Sequence, residues 1–241
     1  MDMQTQVPVV ILVHGSWMGP WSLAPLVECL EVSGIPCRCP ALSGIDGSYD
    51  EQAAATGLRT HVDQIVHEID SRADEHIIMV GHSYGTLVTS EAAAERPDRI
   101  NDIIFIDGIF PEAGKSVLDS LPDLRERILD MVDPDHGAFL RPPSAAYLGL
   151  ESPLADEICP RLRPMPLRTH SDPVRHSARR LKGRRYYLGF DETLLGQSIA
   201  REARDAGWDA TMLPGGHMDI LTDPQPVALV IERAFRAAQT A

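Results

Sequence analysis

No stretch of the chain holds the roughly 18 consecutive apolar residues that a membrane-spanning helix requires, so none of its 241 residues is expected to cross a bilayer as a helix. The early apolar run Val7-Pro8-Val9-Val10-Ile11-Leu12-Val13 has no basic segment in front of it. It leads straight into His14-Gly15, where an export leader would need its cleavage site, so no leader is expected. Positive charge is also scarce: 22 Lys and Arg stand against 35 Asp and Glu, a net charge of −13. Such a surface repels phosphate backbones and anionic lipids, which argues against nucleic-acid and membrane partners. Cysteine is sparse, with only Cys29, Cys37, Cys39 and Cys159. Cys37 and Cys39 alternate along an apparent strand, and no second pair supplies zinc spacing. All four are expected reduced, in a cytoplasmic protein, with no metal site. There is no internal repeat and no low-complexity tract. What remains is 44% hydrophobic and 24% charged, ordinary for one sizeable soluble domain with room for an inserted subdomain.

Strand and helix signals alternate along the chain. Residues 7–13 form a continuous β-branched run, as in a strand buried on both faces of a parallel sheet. Residues 21–32 have helical spacing and stop at Ser33-Gly34. A strand is expected over 35–42, a loop over 43–48 and a helix over 60–73, with Val62, Ile65, Val66 and Ile69 on one face. Then come a strand at 76–80, a helix at 84–96 ended by Pro97, and a strand at 102–106. The rhythm stops at Pro111 and resumes near Arg184. Between them, Val117, Leu118, Leu121, Leu124, Ile128, Met131 and Val132 keep helical spacing, a proline-rich stretch follows, and no strand-like run appears. Residues 111–182 therefore read as an inserted, mainly helical cap, because long structureless connections are uncommon in compact domains. Residues 1–110 and 183–241 form the core, closing with a strand at 184–190, a helix at 194–206, a strand at 209–213 and a helix at 224–238. The pattern implies α/β architecture, a mostly parallel sheet covered by helices on both faces. Reacting groups in such sheets belong at the carboxyl ends of the strands.

The strand at 76–80 ends in Gly81-His82-Ser83-Tyr84-Gly85. A G-x-S-x-G turn between a buried strand and a helix presents its serine as an exposed nucleophile on a strained backbone. It also stands that hydroxyl at a helix N-terminus, where developing negative charge is favoured. A tetrahedral intermediate needs two preorganised N–H donors. Tyr84 supplies one, and Ser16, in His14-Gly15-Ser16-Trp17 after the first strand, is the choice for the second. A serine hydroxyl needs an imidazole to take its proton, and of the nine histidines only His217 follows the last strand in a glycine-rich loop. His170 and His176, with Asp172 between them, have weak spacing for a metal site. The acid that orients the histidine is open on the residues alone. Asp191 ends the strand after the insertion, and Asp107 ends the strand before it.

These motifs resemble the α/β-hydrolase superfamily, and more narrowly the bacterial esterase-like group related to plant methylesterases and hydroxynitrile lyases. The matching pieces are residues 13–21, 80–85, 105–112 and 164–173 together with Gly216-His217. The resemblance implies an α/β-hydrolase fold and no metal or organic cofactor. Relatives have a histidine where this chain has Met18, near the pocket mouth. They also carry the acid after the strand that follows the cap, in a Cys-Thr-x-Asp-like pattern, where this chain reads Gly189-Phe190-Asp191-Glu192-Thr193. An ungapped match points to Glu192, and matching backward from the helix points to Asp191. Asp191 is preferred, Asp107 is next and Glu192 is third.

The leading expectation is a serine hydrolase of an ester, thioester or lactone of a small apolar molecule. In it Ser83 attacks, His217 moves the proton, and Ser16 and Tyr84 hold the oxyanion. Leu121, Leu124, Ile128 and Phe139 are candidates to roof the pocket. A cofactor-independent lyase or cyclase using Ser83 and His217 as a general base comes second, and a non-catalytic ligand-binding protein third. The expected partner is a small apolar substrate, with a homodimer among the assemblies left open.

Overall fold

The computed structural model describes residues 7–72 and 76–239. A six-stranded sheet runs in the order β2-β1-β3-β4-β7-β8. Its strands are β1 (Val9–Val13), β2 (Cys37–Arg38), β3 (Ile77–His82), β4 (Ile100–Ile106), β7 (Arg184–Phe190) and β8 (Asp209–Leu213). Every adjacent pair is parallel. The period of two along each strand sorts the core onto two faces. Val10, Leu12, Ile78, Val80, Ile104 and Ile106 pack with Leu26 and Leu30 of α1 (Ala24–Val32) and Val227 and Ile231 of α11 (Gln225–Gln239). On the other face, Ile11, Met79 and Phe105 pack with α3 (Leu58–Asp70), α4 (Gly85–Glu95) and α9 (Leu194–Asp205). This is the doubly covered sheet of an α/β-hydrolase fold.

Chain direction across the sheet reverses at β1, which has β2 on one side and β3 on the other. The crevice beyond the carboxyl ends of β1 and β3 is the topological switch point, where open α/β sheets bind ligands.

Residues 111–182 hold α5 (Val117–Ser120), α6 (Pro122–Leu129), α7 (Leu154–Ile158) and α8 (Arg168–Ser171). The helical spacing over 117–132 is split by Pro122, which opens α6. Contrary to the sequence reading, the insertion also contains a ribbon. β5 (Phe139–Leu140) pairs antiparallel with β6 (Met165–Pro166). Two-residue strands, one of them ending in proline, are too short to show a period. The edge strand expected over 35–42 shrinks to β2, since Pro36 and Pro40 flank it and proline cannot donate to a ladder. A short helix, α2 (Glu51–Ala55), lies between the expected loop at 43–48 and the expected helix at 60–73, where no element was expected, started by Asp50 accepting from the Ala53 N–H at 2.7 Å. A further short helix, α10 (Asp219–Thr222), follows β8. Ala73, the expected end of the helix that is observed as α3, lies outside the described residues.

Candidate active site

β3 runs directly into the turn that carries Ser83 and then into α4. Ser83 has φ 55°, its N–H donates to the Ile106 carbonyl at 3.0 Å, and its own carbonyl accepts from the Thr86 N–H at 3.1 Å. Only glycine fits at position 85, because a Cβ there would overlap the Val13 carbonyl. The helix is thus pressed against β1, and Ser83 is left at its N-terminus.

Trp17, Ser83 and Asp107 are the non-glycine residues with positive φ among those described, at 60°, 55° and 43°. All three border one cavity of about 310 Å³. Such backbone states cost of order 1–3 kcal/mol each and persist where surrounding structure enforces them, commonly at functional sites. Ser16, Tyr84 and His217 border the same cavity, as do Met18 from the β1 loop and Leu121, Leu124 and Ile128 from the insertion. Phe139 instead is fully buried beside Tyr49, ring centroids 5.0 Å apart.

His217 sits in the loop after β8, where Gly215 has φ 107° and the Gly216 N–H donates to Asp219 at 2.7 Å. Its Nδ1 lies 2.7 Å from Oδ2 of Asp107. That bond places the ring proton on Nδ1 and leaves Nε2 as the basic nitrogen. The His217 carbonyl accepts from His82 Nε2 at 3.2 Å, and the two rings lie 4.7 Å apart. Asp107 is buried. Its Oδ1 accepts from the Phe190 N–H at 3.2 Å and lies 2.8 Å from the Thr193 hydroxyl. Burial pushes the Asp107 carboxyl up, but the bonds from His217, Thr193 and the Phe190 N–H outweigh it and hold the group below its ordinary value.

The carboxylate brought to His217 is therefore that of Asp107, and not that of Asp191, the preferred candidate. Asp191 prolongs the β7–β8 ladder, its N–H donating to the Leu213 carbonyl at 2.9 Å. Its exposed carboxylate accepts from the Gly215 N–H at 3.0 Å, bracing the histidine loop. Glu192 is exposed as well and ties its N–H to the Gly215 carbonyl at 3.0 Å. At Asp107 the positive φ turns the chain off the β4 line, which brings its side chain to His217.

The sequence reading missed Thr193 and Gly196. Thr193 caps α9, accepting from the Gly196 N–H at 3.2 Å, and a Cβ at Gly196 would overlap the Asp107 carboxylate. A threonine three residues before a glycine at a helix start was the available signal.

Four buried histidines surround the site. Burial, the largest cause for each, pushes His14 and His61 down to about 4 and His82 and His170 down to about 3. Coulombic repulsion from His217 adds to the shift at His82, and from His61 to that at His170. His170 and His176 do not converge: His176 Nδ1 lies 3.2 Å from Glu91, and Asp172 pairs with Arg168 at 3.4 Å. Among the described residues, no group of three or more His, Cys, Asp or Glu could hold a metal ion. No described helix is long and apolar enough to cross a membrane.

The sequence profile of the Alpha/beta hydrolase family matches residues 10–230. A carbendazim-hydrolyzing esterase from Nocardioides sp. (strain SG-4G) is 25% identical over 226 residues, covering 88% of this chain and 93% of the relative. Methylesterase 8 of Arabidopsis thaliana is 30% identical over 109 residues, covering 44% of this chain and 39% of that protein. Among solved structures, an extracellular α/β-hydrolase from a Paenibacillus species superimposes with a TM-score of 0.79 at 20% identity, over 94% of this chain and 99% of the other.

Proposed function

Since the chain belongs to the alpha/beta hydrolase family, with relatives named esterases and methylesterases, we propose that it hydrolyses a carboxylic ester of a small, largely apolar molecule through Ser83, His217 and Asp107. One observation carries this reading: the 2.7 Å pairing of His217 Nδ1 with Asp107, on the cavity that Ser83 also borders.

Ser83 Oγ attacks the ester carbonyl as His217 Nε2 takes its proton. The carbonyl oxygen gains charge and is held by the Ser16 and Tyr84 N–H groups, with the N-terminus of α4 beside it. Asp107 keeps the proton on Nδ1 and stabilises the imidazolium as it forms. The tetrahedral species collapses, His217 protonates the departing alkoxide, and Ser83 retains the acyl group. Water, deprotonated by His217, attacks that acyl-enzyme and releases the carboxylic acid. None of these steps needs a cofactor. The apolar side chains of the insertion, acting as a cap, favour substrates with hydrocarbon next to the ester, and thioesters and lactones share this chemistry.

The test is release of acid from p-nitrophenyl butyrate. Ser83→Ala is expected to lower kcat by about 10⁶-fold while leaving the folded protein intact by circular dichroism. Full turnover in that variant would overturn the proposal. A reaction on another substrate class that survives Ser83→Ala would point to general-base chemistry at His217 instead.

A further inference from the structure

His170 reaches the catalytic cavity from the insertion rather than from the sheet, on the four-residue helix α8. The residue is 2% exposed. It packs against the rings of Trp17 and Tyr84, with centroids 5.5 Å away in both cases and the Tyr84 ring within 9° of parallel. Both ring nitrogens have partners. Nδ1 lies 2.9 Å from the Thr169 hydroxyl, and that hydroxyl donates its one hydrogen to the Pro166 carbonyl at 2.6 Å. Thr169 must therefore accept from His170, so Nδ1 carries the ring proton and Nε2 is a bare lone pair. Nε2 faces Ser16 Oγ at 3.1 Å, and Ser16 is the donor in that bond. Burial, with the neighbouring His61 adding to it, pushes His170 down to about 3, so this polarity persists wherever a serine hydrolase is assayed.

The segment that His170 grips belongs to no helix or strand. Trp17 is strained at φ 60°, and its carbonyl accepts from the Arg163 N–H, again from the insertion, at 2.9 Å. The Ser16–Trp17 loop is thus fastened to the insertion by one side-chain bond and one main-chain bond. An oxyanion donor works only if it is already aimed, within a few tenths of an ångström, at the place where charge develops.

We infer that His170 is a positioning residue which, through its bond to Ser16 and its packing on Trp17 and Tyr84, holds both oxyanion N–H groups in place. The inference rests on the reading of Ser83 as the nucleophile. Catalytic competence of the sheet-borne residues then depends on the insertion being docked. The plain alternative is a buried histidine that has merely found hydrogen-bond partners and contributes stability alone. The two differ in kinetics. A donor aimed at the transition state moves kcat and leaves KM, whereas a loss of general packing lowers the melting temperature without a selective effect on kcat.

The experiment compares wild type, His170→Leu, His170→Gln, Ser16→Ala and the His170→Leu/Ser16→Ala double variant on p-nitrophenyl butyrate, with Ser83→Ala as the control. His170→Leu is expected to lose about 10- to 100-fold in kcat with KM within about threefold, and to weaken a trifluoromethyl ketone transition-state analogue by the same factor. His170→Gln, which can return an acceptor toward Ser16, recovers kcat to within about threefold of wild type. Ser16→Ala lowers kcat by about 3- to 10-fold, and the double variant falls no further than His170→Leu, because the two substitutions break one interaction. Wild-type kcat in a folded His170→Leu variant, or strictly multiplicative losses in the double variant, would overturn the inference. Should His170→Leu fail to fold, wild-type kcat in Ser16→Ala overturns it equally. Wild-type hydrolysis that is unaffected by Ser83→Ala would instead overturn the proposed function, so the two failures are told apart.

Discussion

Burial at Asp107 opposes the charged carboxylate, yet three hydrogen bonds outweigh it and hold the group below its ordinary value. That balance, and the bond to His217, distinguish it from Asp191 as the proposed triad acid. Asp107→Asn is expected to leave the fold unchanged and lower kcat by about 10⁴-fold, as loss of the orienting carboxylate does in a Ser-His-Asp triad. Asp191→Asn, which loses only an exposed bond to the Gly215 N–H, should stay within a few-fold. Side-by-side ester hydrolysis checks both, and equal losses would contradict the assignment. Ser83 and His217 were legible in the sequence because glycines and strand ends mark their turns. The choice between Asp107 and Asp191 was not legible. Both close a strand, and what separates them is one backbone angle, 43° at Asp107, that no periodicity records.

The sheet strands were legible as short continuous runs of apolar, largely β-branched residues, because β1, β3 and β4 are buried on both faces and successive residues fill two separate cores. The insertion was legible only as helical ground. Its two-residue strands and proline breaks fall below the length at which a pattern is visible. The contribution of α9 to the site was equally hidden. Its first turn passes over Asp107, with the Thr193 hydroxyl at the cap 2.8 Å from the carboxylate and Gly196 placed where an added Cβ would overlap it. Gly196→Ala raises helix propensity by about 1 kcal/mol, yet it is expected to cost at least about tenfold in kcat, because the new methyl must displace Asp107 or the helix. Wild-type kcat in a crystallographically unshifted variant would contradict that.

Across the whole molecule, the neutral histidines make stability depend on pH. His14, His61, His82 and His170 are pushed from 6.5 to between about 3 and 4 in the folded chain. In the unfolded chain they titrate near 6.5. Their neutral-state stabilisation is complete above pH 6.5 and is lost as pH falls toward 4, because the unfolded chain takes up protons that the native chain refuses. All four groups act in the same direction, so their losses add as the pH falls through this window. Urea midpoints should therefore fall steeply between pH 6.5 and 4.5, and a flat profile there would contradict the burial of these rings as neutral species. The most direct test of the central claim, a serine activated by His217 on Asp107, is intact-mass analysis after exposure to a fluorophosphonate. The account predicts one adduct per chain, located on Ser83, absent in Ser83→Ala and formed far more slowly in Asp107→Asn. No adduct on the folded wild-type protein, or an adduct that persists in Ser83→Ala, would contradict it.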